Sequence, residues 1–150
     1  MSIRIDDIDK TILEMLQEDS RVALRKIAER LGVSEATIFV RVRKLREKGI
    51  IKRFTIDVSP ELLGKSLVAF IMLKADPREY SKALEKIREI DDICEIFDVT
   101  GNYYAILKVR TGSRDELMDI IDKLGLIDGI TSTETAIVLR RIKEDRTVRL

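Results

Sequence analysis

The sequence contains no histidine and a single cysteine, Cys94. Without histidine, neither a His-based catalytic triad nor a His-liganded metal site can form, so we expect no catalytic residue, no metal and no cofactor. One cysteine excludes an internal disulfide, and the apolar run ICEIFDV around it predicts a small buried side chain rather than a nucleophile. No apolar run approaches the roughly 20 residues that span a bilayer, so no membrane association is expected.

Amide side chains are also scarce, because Gln17 and Asn102 are the only glutamine and asparagine. Depletion of thermolabile amides in a chain with 37% charged residues is typical of thermophilic proteins. The acidic start MSIRIDDIDK has no apolar stretch like that of a secretory signal, which predicts a cytoplasmic protein. Hydrophobic residues make up 45% of the 150 residues, enough for one ordinary domain or two small ones.

Helical spacing of apolar residues predicts three short helices in the first 50 residues. Asp6 or Asp7 is placed to cap the first helix, and Ser34 to cap the third. Gly32 ends the second helix, so about three residues join the second helix to the third. This connection is typical of a helix-turn-helix, although an ordinary αα-hairpin has the same spacing. The apolar stripes are Ile8, Ile12, Leu13, Leu16; Leu24, Ile27, Ala28, Leu31; and Ile38, Val42, Leu45.

Charge distinguishes the two interpretations. The chain has 28 basic and 27 acidic residues, yet positions 41–53 hold seven basic residues and only one acid, Glu47. A solvated helix face normally mixes signs, as EYSKALEKIREID does later in the chain. A basic third helix suits the major groove, and its cations suit phosphates. The DNA-binding residues predicted on it are Ser34, Glu35, Thr37, Arg41, Arg43, Lys44 and Arg46.

The rest of the chain predicts a β-strand over residues 50–59, a domain boundary near residue 60 and a βαββαβ unit after it. Two segments, VAFIMLKADPREYSKALEKI and YAILKVRTGSRDELMDIIDKL, each have the pattern strand, turn, amphipathic helix, and a further strand follows each. The predicted fold is therefore α+β: a helix-turn-helix domain (1–50), a hinge strand or linker (51–60) and a ferredoxin-like βαββαβ sandwich (61–150).

The strand VAFIMLK is apolar on both of its sides. Helices of so small a sandwich cover only one face of the sheet, so the other face needs a partner chain. The simplest partner is a second copy, which predicts a homodimer or a larger even-numbered oligomer.

The chain resembles the leucine-responsive regulator/AsnC family, the feast/famine regulators of bacteria and archaea. The resemblance covers nearly the whole chain and rests on four segments in the right order: IDDIDKTILEMLQEDSR, IAERLGVSEATIFVRVRKLREKGIIKRF, VTGNYYAILKV and GITSTETAIVL. It implies a winged-helix-like DNA-binding domain, dimers that form through the sheet and commonly assemble into octamers, and a free amino acid bound between dimers.

The resemblance also implies which residues contact the effector. Matching positions are Gly101, Asn102, Tyr103 and Tyr104 in one loop and Thr131, Ser132, Thr133 and Glu134 in a second. Tyr104 stands where the family usually has an Asp that helps hold the ligand, so Glu134 is the candidate for the α-ammonium group. Ala23 stands where the family has a Ser-like helix cap.

Helical spacing adds Asp122 to the effector residues, because Met118 and Asp122 lie one turn apart on the flank of the last predicted helix. An apolar stem beside a carboxylate favours a basic or polar effector. Asp122 as a surface acid paired with Lys123 or Arg114, and the two tyrosines as interface aromatics, remain open alternatives. The expected function is a DNA-binding regulator that responds to an amino acid; the alternative is an amino-acid-sensing module that acts on a protein partner without DNA.

Overall fold

The computed structural model describes residues 4–150, which divide into two compact units. The first unit consists of the residues up to Asp57 together with Lys143–Leu150, and the second is Val58–Ile142. No helix within residues 4–150 has both the length and the apolar character needed to cross a bilayer.

The first unit contains three helices: α1 (Asp7–Glu18), α2 (Leu24–Leu31) and α3 (Glu35–Glu47). The carboxylate of Asp6 caps α1 by accepting a hydrogen bond from the Asp9 N–H at 2.8 Å. Gly32 ends α2 in the left-handed region at φ 66°, and Ala23 offers no side-chain cap at its start, as the sequence predicted. The three helices enclose one apolar core, formed by Ile12, Leu13, Ile27, Ala28, Ile38 and Leu45.

The strand predicted over residues 50–59 is not formed: residues 52–58 carry no regular secondary structure. The local pattern is that of a strand, since Phe54, Ile56 and Val58 alternate with polar residues. However, a strand is stable only when another backbone satisfies its ladder, and within residues 4–150 the segment 52–58 makes no backbone–backbone hydrogen bond. The side chains of Phe54 and Ile56 therefore remain exposed, at 45% and 75%.

The last eight residues return to the first unit and lie along α1. The side chain of Gln17 makes two hydrogen bonds to the backbone of Val148, one from Nε2 to the carbonyl oxygen (3.0 Å) and one from the Val148 N–H to Oε1 (2.7 Å). Arg146 adds an ion pair to Asp57 at 3.0 Å. The helix-turn-helix unit is thus built from both ends of the chain, whereas the sequence placed residues 143–150 with the βαββαβ domain.

The second unit is a four-stranded antiparallel sheet with two helices, and it confirms the predicted βαββαβ order. Its elements are β1 (Leu67–Ala75), α4 (Tyr80–Arg88), β2 (Ile93–Asp98), β3 (Ala105–Thr111), α5 (Arg114–Gly125) and β4 (Ile130–Ile137). The spatial order is β2-β3-β1-β4, so the two central strands are β3 and β1. Strand β3 pairs antiparallel with both β1 and β2, so α4 connects two strands that run parallel with β3 between them, which is a split βαβ unit.

The two faces of this sheet are covered differently. Ala69, Ile71 and Leu73 of β1 are completely buried with Ile87, Ile120 and Leu124 of the helices. The other face, called the open face here, carries Phe70, Met72 and Ile106, which are only half-buried, and Phe97, which is 49% exposed. The sequence correctly placed apolar residues on both sides of β1.

Cys94 is exposed, so the prediction of a buried cysteine is wrong. The register between β2 and β3 shifts between Ile93 and Glu95, because Ile93 pairs with Val109 and Glu95 with the adjacent Lys108. This bulge takes Cys94 out of the alternation that the apolar run suggested. Its thiol donates to the Lys108 carbonyl oxygen at 3.3 Å.

Candidate nucleic-acid interface and effector site

The start of α3 is fixed by two hydroxyl groups. The Ser34 side chain caps the helix by accepting a hydrogen bond from the Thr37 N–H at 3.1 Å, and the two hydroxyls share a second hydrogen bond of 2.8 Å. Capping satisfies backbone donors that the first turn leaves free. Both hydroxyls are therefore already bonded within the turn, while Glu35 beside them is exposed and unpaired among the described residues.

The cations predicted on α3 fall into distinct environments. The Arg43 side chain is 61% exposed and lies 3.4 Å from the carboxylate of Glu47 one turn later. Lys44 is exposed and makes no ion pair within residues 4–150. The guanidinium of Arg46 lies over the Phe54 ring, 5.9 Å from its centroid. These three side chains are presented to solvent, where a phosphate can reach them.

Arg41 differs, because its guanidinium is engaged by α1. Its Nη1 atom donates to both carboxylate oxygens of Asp6, at 2.9 and 2.7 Å, and to Asp9 Oδ1 at 2.8 Å. The backbone N–H of Asp9 and the charge of Arg41 hold the pKa of the Asp6 carboxyl below its ordinary value of 3.8. The same contacts raise the pKa of Arg41. The pair joins α3 to α1 across 35 positions of sequence.

Three apolar residues share the solvent side of α3 with these cations. Ala36 is exposed, Phe39 is 56% exposed and Val40 is 39% exposed. Neither Phe39 nor Val40 belongs to the apolar cluster of the first unit. Neither residue was predicted from the sequence, although the signal was present, because neither position belongs to the stripe Ile38, Val42 and Leu45.

In the second unit, two of the predicted effector residues are hydrogen-bonded to each other. Tyr103, at the end of the loop between β2 and β3, donates its hydroxyl proton to the carboxylate of Glu134 on β4. This hydrogen bond raises the pKa of Tyr103. The ammonium of Lys74 lies over the Tyr103 ring, 5.7 Å from its centroid. Register explains the meeting: Glu134 pairs with Met72 on β1, two residues from Lys74.

Tyr104 enters a different cluster. Its ring packs against Tyr80 of α4 with a centroid distance of 5.0 Å and an interplanar angle of 56°. The Tyr80 hydroxyl donates to the carboxylate of Asp98 at the end of β2. Burial, and then the bond to Asp98, raise the pKa of Tyr80 well above its ordinary value. Sequence reasoning missed Lys74, Tyr80 and Asp98, because these contacts depend on strand pairing and on where α4 begins.

The remaining predicted effector residues belong neither to the Tyr103–Glu134 pair nor to the cluster around Tyr104 and Tyr80. Gly101, which has φ 107°, and Asn102 are exposed in the loop. Thr131 and Ser132 are exposed near the start of β4, and Thr133 is half-buried. The carboxylate of Asp122 is exposed and makes no hydrogen bond or ion pair within the described part of the chain, including to Lys123 or Arg114.

Two family models match the chain. Residues 5–52 match a winged helix-turn-helix DNA-binding domain. Residues 68–148 match the Lrp/AsnC ligand binding domain, a range that covers most of the second unit and continues into the segment after residue 142 that lies with the first unit. Among curated relatives, the HTH-type transcriptional regulator FL11 of Pyrococcus furiosus is 43% identical over 93% of this chain and 93% of that protein. The regulatory protein AsnC of Escherichia coli is 41% identical over 91% of both chains.

Solved structures agree with the sequence comparisons. The structure of Escherichia coli AsnC superposes with a TM-score of 0.94 at 39% identity and covers 99% of this chain and 100% of that one. A feast or famine regulatory protein of Mycobacterium tuberculosis, complexed with L-methionine, superposes with a TM-score of 0.90 at 27% identity over 98% of this chain and 100% of that one.

The first unit is a helix-turn-helix whose second helix, α3, is basic, and it is linked to a separate βαββαβ unit. This combination defines a DNA-binding transcriptional regulator with a ligand-binding domain. The chain belongs to the Lrp/AsnC family of transcriptional regulators.

Proposed function

We propose that this protein binds specific double-stranded DNA through α3 and that a free amino acid, bound by the second unit, controls this binding. The observation that carries the DNA-binding half is the cluster of basic residues on the exposed surface of α3, within a chain that is otherwise close to neutral. Cations at this density release counterions from phosphates.

Within this interface we propose different roles for the predicted residues. Arg43, Lys44 and Arg46 contact phosphates or guanine, because they are exposed and project from α3. Glu35 contacts a base edge as a hydrogen-bond acceptor. Ser34 and Thr37 fix the start of the helix through their cap. Arg41 positions α3 on α1 rather than contacting DNA, since two carboxylates already hold its guanidinium.

We propose that the amino-acid effector binds near the loop before β3 and the first residues of β4. The loop supplies Gly101, Asn102 and Tyr103, and β4 supplies Thr131, Ser132, Thr133 and Glu134. Tyr103 and Glu134 support the site because they already meet, next to the cation of Lys74. A carboxylate beside a cation suits the opposite charges of an amino acid's α-ammonium and α-carboxylate groups. The methionine complex of the Mycobacterium tuberculosis relative adds support by similarity.

The prediction of a polar or basic effector rests on Asp122, which lies one helical turn after Met118 on α5. Asp122 has a free carboxylate, since no described cation pairs with it. It belongs to the effector site only if a neighbouring subunit brings the loop residues to α5. Tyr104 lies against Tyr80, whose partner Asp98 supplies a second carboxylate beside the loop. The proposed effector is therefore a polar or basic amino acid.

We further propose that the protein is a dimer through the open face, with octamers formed from such dimers. Half-buried Phe70, Met72 and Ile106, together with exposed Phe97, form an apolar centre there. Burying these side chains against a second copy removes apolar surface from water at about 25 cal/mol per Å².

Duplex binding measured against salt, with and without each amino acid, tests the proposed function. The three exposed cations on α3, Arg43, Lys44 and Arg46, predict that log K falls with log [salt] with a slope of about −2.7 per bound subunit. A thermal-shift screen of the twenty amino acids identifies the effector, because a ligand at 100 times its Kd adds ~2.7 kcal/mol of stability. A protein that shifts with an amino acid but shows no salt-dependent DNA affinity would instead be a sensing module that acts on a protein partner.

A further inference from the structure

The solvent side of α3 carries an apolar surface that phosphate binding does not explain. Ala36, Val40, Arg43 and Glu47 follow each other at helical spacing, and Phe39 lies beside Val40. This stripe is offset by two residues, about half a helical turn, from the core-facing stripe of Ile38, Val42 and Leu45, so it faces away from the core. A phenylalanine with 56% of its surface exposed is costly to leave in water.

The surroundings of this apolar surface indicate its occupant. Exposed apolar residues rimmed by polar ones commonly mark an interaction surface. Here the rim is mainly basic: Arg43 and Lys44 lie on α3, Lys48 directly follows it, and the acid in the stripe, Glu47, is paired with Arg43. An acidic or polyanionic partner is therefore favoured over a second copy of this basic helix, which would bring like charges together.

The position of Phe39 and Val40 along α3 indicates which part of the DNA they contact. In helix-turn-helix proteins the N-terminal residues of the second helix contact the base edges in the major groove. Phe39 and Val40 lie in the second turn of α3, whereas the cations follow towards its C-terminal end. The apolar residues are thus placed for base edges, and the cations for the flanking phosphates.

Base chemistry then determines what an apolar side chain can recognise. The major-groove edges of adenine, guanine and cytosine present only hydrogen-bond donors and acceptors, whereas thymine adds the C5-methyl group. Neither Phe39 nor Val40 can donate or accept a hydrogen bond through its side chain. We infer that Phe39 and Val40, beside exposed Ala36, recognise thymine methyl groups and select duplexes with thymine at defined positions. This inference rests on the proposed DNA-binding function and specifies its base chemistry.

The test uses DNA from which only the methyl groups are missing. The full-length protein first enriches a duplex from a random pool, and that duplex is then synthesised with deoxyuridine in place of thymine, one position at a time. Burial of one methyl-sized group corresponds to about 0.8 kcal/mol, or roughly fourfold in Kd. We expect the parent protein to bind about fourfold more weakly to deoxyuridine at one or more positions.

Side-chain variants connect each methyl effect to a residue. Phe39→Ala and Val40→Ala place a strong helix former at exposed positions, so we expect the fold to be retained, which circular dichroism would check. For each variant we expect the difference between thymine and deoxyuridine to disappear at the position that the residue contacts. Val40→Thr keeps the side-chain volume but adds a hydroxyl and should also reduce the difference. Leu62→Ala removes an 89% exposed leucine from the other unit and should leave the difference unchanged.

The outcomes separate the inference from the function. If the parent enriches a duplex with salt-dependent affinity but binds deoxyuridine equally well at all positions, the methyl inference is wrong and the DNA-binding function stands. If the methyl effect persists in both Phe39→Ala and Val40→Ala, α3 does not recognise the methyl groups and the inference is again wrong. If no duplex is enriched at all, the proposed function fails, and the inference with it.

Discussion

Arg41 and Lys44 lie less than one helical turn apart on α3, and the sequence assigns both to DNA. The structure predicts that replacing Lys44 changes DNA binding, whereas replacing Arg41 changes the stability of the protein. Lys44 is exposed and makes no ion pair among the described residues, whereas Arg41 is bonded to Asp6 and Asp9. Lys44→Gln and Arg41→Gln remove one positive charge each and keep the helix propensity similar. They form a matched pair that distinguishes phosphate binding from helix positioning.

The two variants are expected to change different quantities, the salt dependence of DNA binding and the free energy of unfolding. Lys44→Gln should reduce the salt slope of DNA binding by about 0.9, the value for one phosphate contact. Arg41→Gln should leave the slope unchanged but lower stability. Only the bond to Asp9 is counted, because its two side chains are 27% and 16% exposed while Asp6 lies in solvent. A hydrogen bond between charged groups contributes at least about 1.5 kcal/mol, which lowers the midpoint of a unit of this size by roughly 6–12 °C.

The assay combines thermal unfolding of each variant with fluorescence anisotropy on one labelled duplex from about 50 to 200 mM salt, conditions in which phosphate contacts dominate the change in affinity. Arg43→Gln serves as a second exposed cation and should behave like Lys44→Gln. The positioning role of Arg41 is wrong if Arg41→Gln flattens the salt dependence as much as Lys44→Gln does while its thermal midpoint equals that of the parent. In that case Arg41 leaves the carboxylates to bind phosphate.

Three further predictions concern pH, assembly and the returning segment. The folded state holds the pKa of Asp6 below 3.8, so the contribution of Asp6 to stability is complete above pH 3.8 and is lost as pH falls through the lower, folded pKa. Asp6→Asn still caps α1, and its thermal midpoint should fall less than that of the parent between about pH 5 and pH 2.5. An equal fall in the two proteins would contradict this prediction. Phe97→Asp places a charge on the open face and should prevent the proposed dimer from forming, as analytical ultracentrifugation would detect, without unfolding the chain, since Phe97 lies outside the core; a variant that still forms dimers would show that the open face is not the interface. Gln17→Ala removes both bonds to Val148, so amide hydrogen exchange at Val148 should accelerate by at least about tenfold, whereas protection equal to that of the parent would mean that other contacts hold the segment.

Local signals made the helices and strands predictable from the sequence. Asp6, Ser34 and Gly32 act on backbone groups within four residues, so their caps are visible in the sequence itself. Apolar spacing located the helices and strands of the second unit for the same reason. The strand predicted over residues 50–59 failed because a strand also needs a partner backbone, and the pattern of one segment does not reveal whether that partner exists.

The details of the candidate sites depend on contacts distant in sequence. Arg41 and Asp6 are 35 positions apart, and Tyr103 and Glu134 are 31 apart. Such pairs become visible only after packing or strand register brings them together. The same limit applies to Cys94, where a bulge changes the side on which the residue lies. Phe39 and Val40, in contrast, were accessible to sequence reasoning, because their phase on the helix follows from the buried stripe alone.

The return of residues 143–150 to α1 makes the ligand-binding unit an insertion within the DNA-binding unit. Dissection of the protein at residue 57 would therefore yield an incomplete fragment that lacks the chain held by Gln17 and Asp57. A faithful minimal DNA-binding fragment would join residue 57 to residue 143 through a short flexible linker. For the same reason, an affinity tag fused after Leu150 is attached to the DNA-binding unit rather than to the effector unit. A tag placed in the exposed turn around Leu62 would instead leave both ends of the DNA-binding unit free.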